Sequence, residues 1–223
     1  MRVLIVGKTR MSNSICVGAI TNDGRNLRLL DDNGYNQPLN TEYDLSKFWE
    51  IDFIERTDTV RPHVEDVLVI SKERKGKLNP NITMRHVLET WGFTIWVGTT
   101  DELFDGLLEW TNSGSGYISQ LGEVPDKSVG IWIPDESLTR TDYLTKVRYS
   151  YPMQEYGVSR KITFVGLQEP VDIIPAGTLL RVSLARWWDR NGETEPRCSL
   201  QLSGWYDIPS NSVNRFEDDD LPF

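Results

Sequence analysis

The tightest constraint on this chain is the rhythm of its turn chemistry. Residues 2–7, 15–21 and 27–30 are short segments rich in Val, Ile and Leu. Met11-Ser12-Asn13-Ser14 and Thr21-Asn22-Asp23-Gly24 stand between them, and Asp31-Asp32-Asn33-Gly34 follows. Asn, Asp, Ser and Gly favour turns because their side chains bond locally or tolerate positive φ. Residues 48–54 alternate around Trp49, Ile51 and Phe53, as a half-buried strand does. Asp66-Val67-Leu68-Val69-Ile70 is a further strand, apolar on both faces. Short strands with a turn about every ten residues predict a small barrel.

The period then changes. Met84, Val87, Leu88 and Trp91 fall on one helix face, and Gly92 stops the helix. Thr99 and Glu102 have capping-box spacing, and Leu103, Phe104, Leu107 and Leu108 form an apolar stripe behind them. Both stripes predict core-facing helices, the second ending at Gly114 and Gly116. Strands resume at residues 129–133, 146–151, 161–166, 179–187 and 197–206, separated by Gly, Pro, Asp and Asn. The prediction is a mainly β chain: a first Greek-key barrel over 1–80, a helical connector over 81–116 and a second barrel over 117–208. Residues 209–223 are polar and read as a disordered acidic tail.

Composition narrows the function. The 223 residues are 39% hydrophobic and 26% charged, enough for a packed core. No apolar run approaches the roughly 20 residues that span a bilayer, so no membrane partner is expected. The start, Met1 to Lys8, reads as a strand and not as a signal peptide. Cys16 and Cys198 read as free thiols of a reducing cytoplasm. Of the net charge of −9, the run from Asp207 onward holds −4 (five acids, one arginine), which leaves −5 for the body. Such a body does not coat duplex DNA with a basic surface, though a local basic groove remains compatible with it.

Single strands are held where cations and aromatic faces alternate. Lys146-Val147-Arg148-Tyr149-Ser150-Tyr151 places Lys146 and Arg148 on one strand face and Tyr149 and Tyr151 on the other. Arg160 and Lys161 open the next strand. Arg186-Trp187-Trp188-Asp189-Arg190 precedes an Asn191-Gly192 turn, and two adjacent Trp cannot enter one core together. These ten cationic and aromatic residues (Lys146, Arg148, Tyr149, Tyr151, Arg160, Lys161, Arg186, Trp187, Trp188, Arg190) are the candidate nucleic-acid contacts. Lys72, Arg74, Lys75 and Lys77 form the densest basic run and read as a solvated loop or a phosphate contact.

Glu217-Asp218-Asp219-Asp220-Leu221-Pro222-Phe223 joins carboxylates to an apolar Leu-Pro-Phe. A receptor can take the Phe223 ring into a pocket, hold the carboxylate with a cation and meet the aspartates with a basic rim. This segment resembles the acidic tip of bacterial single-stranded DNA-binding proteins. The resemblance implies recruitment of repair helicases, exonucleases and primosome factors.

Val3-Leu4-Ile5-Val6-Gly7-Lys8-Thr9-Arg10, Ile15-Cys16-Val17-Gly18 and Arg28-Leu29-Leu30 are similar to bacterial dual oligonucleotide-binding-fold (OB) domains associated with genome-conflict systems. That resemblance covers most of residues 1–208. It implies two OB barrels, a role linked to nucleic acid and no catalytic residues. Catalytic patterns fail independently. His63 and His86 have no partner at metal-ligand spacing, so neither a metal nor a cofactor is expected. Gly7-Lys8-Thr9 lacks the upstream glycine of a phosphate loop, and Gly114-Ser115-Gly116 lacks a nucleophile's frame. The expectation is a non-catalytic, cytoplasmic binder of single-stranded DNA, or alternatively RNA, whose tip recruits DNA-processing enzymes. The runner-up is a protein-interaction module or a phage-defence component that uses or mimics the tip peptide.

Overall fold

A computed structural model describes residues 1–153, 158–189, 192 and 194–207. Strands β1 (Arg2–Met11), β2 (Ser14–Thr21), β3 (Asn26–Leu30), β4 (Lys47–Glu55) and β5 (Asp66–Lys77) close a barrel in the order β1-β2-β3-β5-β4. β1 closes it by bending: Arg2–Leu4 pair with β4, while Val3–Met11 pair with β2 around an irregularity between Ile5 and Gly7. Such a bulge turns a strand from one neighbour to the next. Val3 and Ile5 enter the barrel, where Trp49 packs edge-on against Tyr43. Leu4 and Val6 point out of it, into a separate apolar cluster.

Helix α1 (Met84–Thr90) follows, with the Thr83 hydroxyl accepting the His86 N–H at its start. Its stripe is the one the periodicity predicts, with Met84, Val87 and Leu88 buried. The second stripe differs from expectation. Thr100–Gly106 is a 3₁₀ segment in which Leu103 is extended and Phe104 and Asp105 take φ of 52° and 59°. Tertiary contacts override the helical spacing. The Trp96 indole donates to the Asp105 carboxylate at 3.0 Å, and its ring centre lies 5.0 Å from that of Phe104.

The remaining strands are β6 (Ile95–Gly98), β7 (Glu109–Trp110), β8 (Gly116–Ser119), β9 (Val129–Pro134), β10 (Leu138–Arg140), β11 (Arg148–Tyr151), β12 (Arg160–Phe164), β13 (Ile173–Ile174), β14 (Leu179–Leu184) and β15 (Arg197–Tyr206). Their hydrogen-bonded path is β13-β10-β11-β12-β15-β14-β9-β6. Only Asp135-Glu136-Ser137 separates β9 from β10, so the two are halves of one bent strand. β9 pairs with β14 and β10 with β11, as the two ends of β1 pair with β4 and β2. β12 and β15 are parallel, as are β3 and β5. The second unit therefore repeats the strand order of the first, and the sequence expectation of two small OB-like barrels holds.

A third apolar cluster joins them. Leu4, Val6 and Ile20 come from the first barrel, Met84, Val87 and Leu88 from α1, and Ile131, Ile133 and Leu179 from the second barrel. This explains why β1 and β9 are apolar on successive residues: one face fills a barrel and the other fills the seam between barrels.

Candidate nucleic-acid interface

In the second barrel, β11 and β12 present one face inward and one outward. Tyr149 and Tyr151 are inward and fully buried. The Tyr149 hydroxyl donates to the Val171 carbonyl at 2.7 Å, and that of Tyr151 to Asp135 at 2.6 Å. Burial pushes the Tyr149 phenol up to about 12. Neither ring is available to a base, which corrects the sequence assignment. The barrel takes the aromatic face of β11 because Tyr149 packs against Phe164 and Trp205.

The outward face carries Arg148 opposite Thr163 and Ser150 opposite Lys161. Lys146 is exposed just before β11, and the Arg148 guanidinium lies 4.7 Å from the centre of the Tyr143 ring. Lys146, Arg148 and Lys161 have no ion pair among the described residues. Arg160 differs from expectation. It bonds the Thr100 hydroxyl, pairs with Asp101 and stacks on Trp110 at 4.3 Å, so it is committed to the protein itself.

Two segments lead into the strands of this sheet. Residues 141–147 connect β10 to β11 and expose Tyr143 (57%) and Leu144 (88%). Residues 185–196 connect β14 to β15. Here the adjacent tryptophans diverge: Trp187 packs on the second core and donates to the Arg61 carbonyl at 2.7 Å, while Trp188 is 66% exposed. Trp187 is thereby removed from the contact set. Arg186, half-exposed, pairs with Asp66 at 2.7 Å across the seam. Arg190 and Glu217–Phe223 lie outside the described residues.

The corresponding β2–β3 face of the first barrel is covered. Arg181 of β14 lies over Gly18, and Arg28 shares Asp66 with Arg186. Glu65 accepts from the Ser128 N–H at 2.6 Å and its hydroxyl at 2.8 Å. The His63 Nε2 donates to the Leu184 carbonyl at 3.2 Å. The basic run on β5 is strand, not loop. Its Lys72 pairs with Glu42 and sits over the Tyr43 ring, so it is already engaged.

Burial holds the His63 imidazole below its usual value, partly offset by the Leu184 carbonyl. The folded protein therefore keeps His63 neutral while the unfolded chain protonates near pH 6.5. Its contribution to stability is complete above that pH and is lost as pH falls toward the depressed folded value. Urea unfolding from pH 7.5 to 5.5 is expected to show this loss, and His63→Gln to flatten it; an unchanged slope in the variant would remove His63 as the cause. Burial also pushes up the thiols of Cys16 and of Cys198, the latter to about 12, so neither is a thiolate at neutral pH. Among the described residues, no group of three or more His, Cys, Asp and Glu side chains is arranged to hold a metal ion.

Comparison with known proteins gives a family and a loose fold likeness. Residues 1–205 match the sequence profile of a family described as the dual OB-containing domain. No curated protein matches the chain. One solved structure, described as structural mimicry for functional antagonism, shares 12% identity at a TM-score of 0.34, covering 92% of this chain and 91% of that one. A murine DNA-binding protein bound with double-stranded DNA shares 7% identity at 0.32, covering 92% and 90%. A HINa domain in complex with 20-base-pair double-stranded DNA shares 11% identity at 0.30, covering 91% and 95%. Scores this low transfer no ligand.

Proposed function

Because the chain belongs to the family of dual OB-containing domains, we propose that it binds single-stranded nucleic acid along the β11–β12 face of its second barrel. Five-stranded barrels of this type take oligonucleotides on the face of their second and third strands, between the loops after the first and fourth. Here those parts are β11–β12, residues 141–147 and, of the β14–β15 connection, residues 185–189 and 194–196. The observation that carries the reading is the outward set of Lys146, Arg148 and Lys161, without ion pairs among the described residues, together with the exposed Trp188. The first barrel has no such open face, since the second barrel covers it. The acidic segment Glu217–Phe223 then serves recruitment of DNA-processing proteins, and the reading assigns no catalytic step.

Fluorescence anisotropy of a labelled oligo-dT of about 30 nucleotides tests it. The full chain is expected to bind, and Trp188→Ala to weaken binding about tenfold to a hundredfold, the size of one lost stacking contact. Lys161→Ala should lower the salt slope by about 0.7, as one phosphate contact does on single strands. Deleting Glu217–Phe223 should leave strand binding intact or tighten it. No binding by the full chain at low salt would end the proposal.

A further inference from the structure

The seam between the barrels holds a partly open cavity of about 60 Å³, and we infer that it is a binding site for one small phosphate-type oxyanion held by Arg181. Leu180 and Val182 point into the second core, so Arg181 must point out of it, toward the first barrel. There it is 6% exposed. Its guanidinium lies on Gly7 and Gly18, cross-strand partners in β1 and β2. A Cβ at Gly18 would come within 2.5 Å of Nη2, and one at Gly7 within 3.1 Å of Cζ. The floor under the cation is thus bare backbone, with no side chain to neutralise it.

Among the described residues nothing else neutralises it either. The Nε of Arg181 is buried with no acceptor, and Arg181 has no ion pair among the described residues. The two carboxylates nearby are taken. Glu65 accepts both donors of Ser128, and Asp66 is shared by Arg28 and Arg186. Around the seam, Arg28, Arg181 and Arg186 face Glu65 and Asp66, an excess of one positive charge, with His63 and Cys16 neutral. An isolated buried cation is costly, and pairing with a well-bonded anion offsets much of that cost. The Ser183 and Ser203 hydroxyls, 2.7 Å apart, also line the cavity, and either can turn a proton toward a guest. At about 10–15 Å³ per water the space suits a few waters or one oxyanion, not a nucleoside. The same chemistry can come from free inorganic phosphate or from the terminal phosphate of an oligonucleotide. Either source is independent of strand binding on the β11–β12 face.

The test is isothermal titration of the full chain with inorganic phosphate in chloride buffer, beside thermal melting at matched ionic strength. The native chain is expected to take up one equivalent and to gain several degrees in Tm at saturation. Arg181→Met should take up none. In phosphate-free buffer it should melt no lower than the native chain, since it removes an uncompensated buried charge. Ser203→Ala, a gentler change, should weaken phosphate severalfold. Competition by a short 5′-phosphorylated oligo-dT, but not by its 5′-hydroxyl form, would assign the terminal phosphate as the guest; competition by neither would assign the free ion. No uptake by the native chain, equal uptake by Arg181→Met, or unchanged affinity in Ser203→Ala would overturn the site.

Discussion

Asp66→Ala is expected to lower the unfolding free energy by roughly 3–5 kcal/mol, the usual consequence of removing one partner from a buried ion network. For a chain of this size that is a fall in melting temperature of about 10 °C. Asp66 is 4% exposed at the start of β5 and holds Arg28 from its own barrel and Arg186 from the other. Burial pushes its carboxyl above the usual aspartate value while Arg28 pulls it back, so its partners work against the cost of burying it. Without it, Arg186 relaxes toward solvent, but Arg28 stays under the second barrel with its Nε lacking an acceptor. The double variant Asp66→Ala, Arg28→Met should recover much of the loss, because an apolar replacement leaves no charge to desolvate. Equilibrium urea unfolding reads both. A loss below about 1 kcal/mol for Asp66→Ala, the range of exposed pairs, would mean that the seam is wetter than its geometry indicates.

That network spans the barrels, which is why the sequence hides it. Alternation in residues 179–184 says that Arg181 faces away from its own core, yet nothing local says that another barrel lies there. The glycines at 7 and 18 are the only trace, small residues where a guanidinium must approach. The same limit explains Tyr149 and Tyr151. The period of β11 separates them from Arg148, but which face is inward is decided by Phe164 and Trp205, distant in sequence. The pair Trp187–Trp188 is legible as a split, not as an assignment. Longer strands are readable because alternation has room to repeat, whereas β7 and β13, two residues each, carry no period at all. The exposed half of β5 reads as loop because its residues are polar on both faces. The segment at 100–106 follows tertiary contacts of Trp96 against its own helical spacing.

Leu88→Ala should have an effect of the same order as Asp66→Ala for a different reason. Leu88 is fully buried in the cluster that Leu4, Val6 and Ile20 of the first barrel share with Ile131, Ile133 and Leu179 of the second. Its removal leaves a cavity lined from three sides. Collapse around it is restrained, because α1 is capped at Thr83 and the strands that face it are hydrogen-bonded into a closed barrel on one side and a continuous sheet on the other. Losses of about 2–5 kcal/mol accompany such truncations, larger where the site cannot relax. The form of the transition carries as much information as its midpoint. If the third cluster makes the barrels one cooperative unit, Leu88→Ala will shift the urea midpoint down with one transition and an unchanged slope. A split into two transitions would show that each barrel is stable alone and that the cluster only docks them. In that event the seam, with Arg181 and its cavity, would open before either barrel unfolds, and uptake of oxyanion would fall at urea concentrations where strand binding on β11–β12 persists.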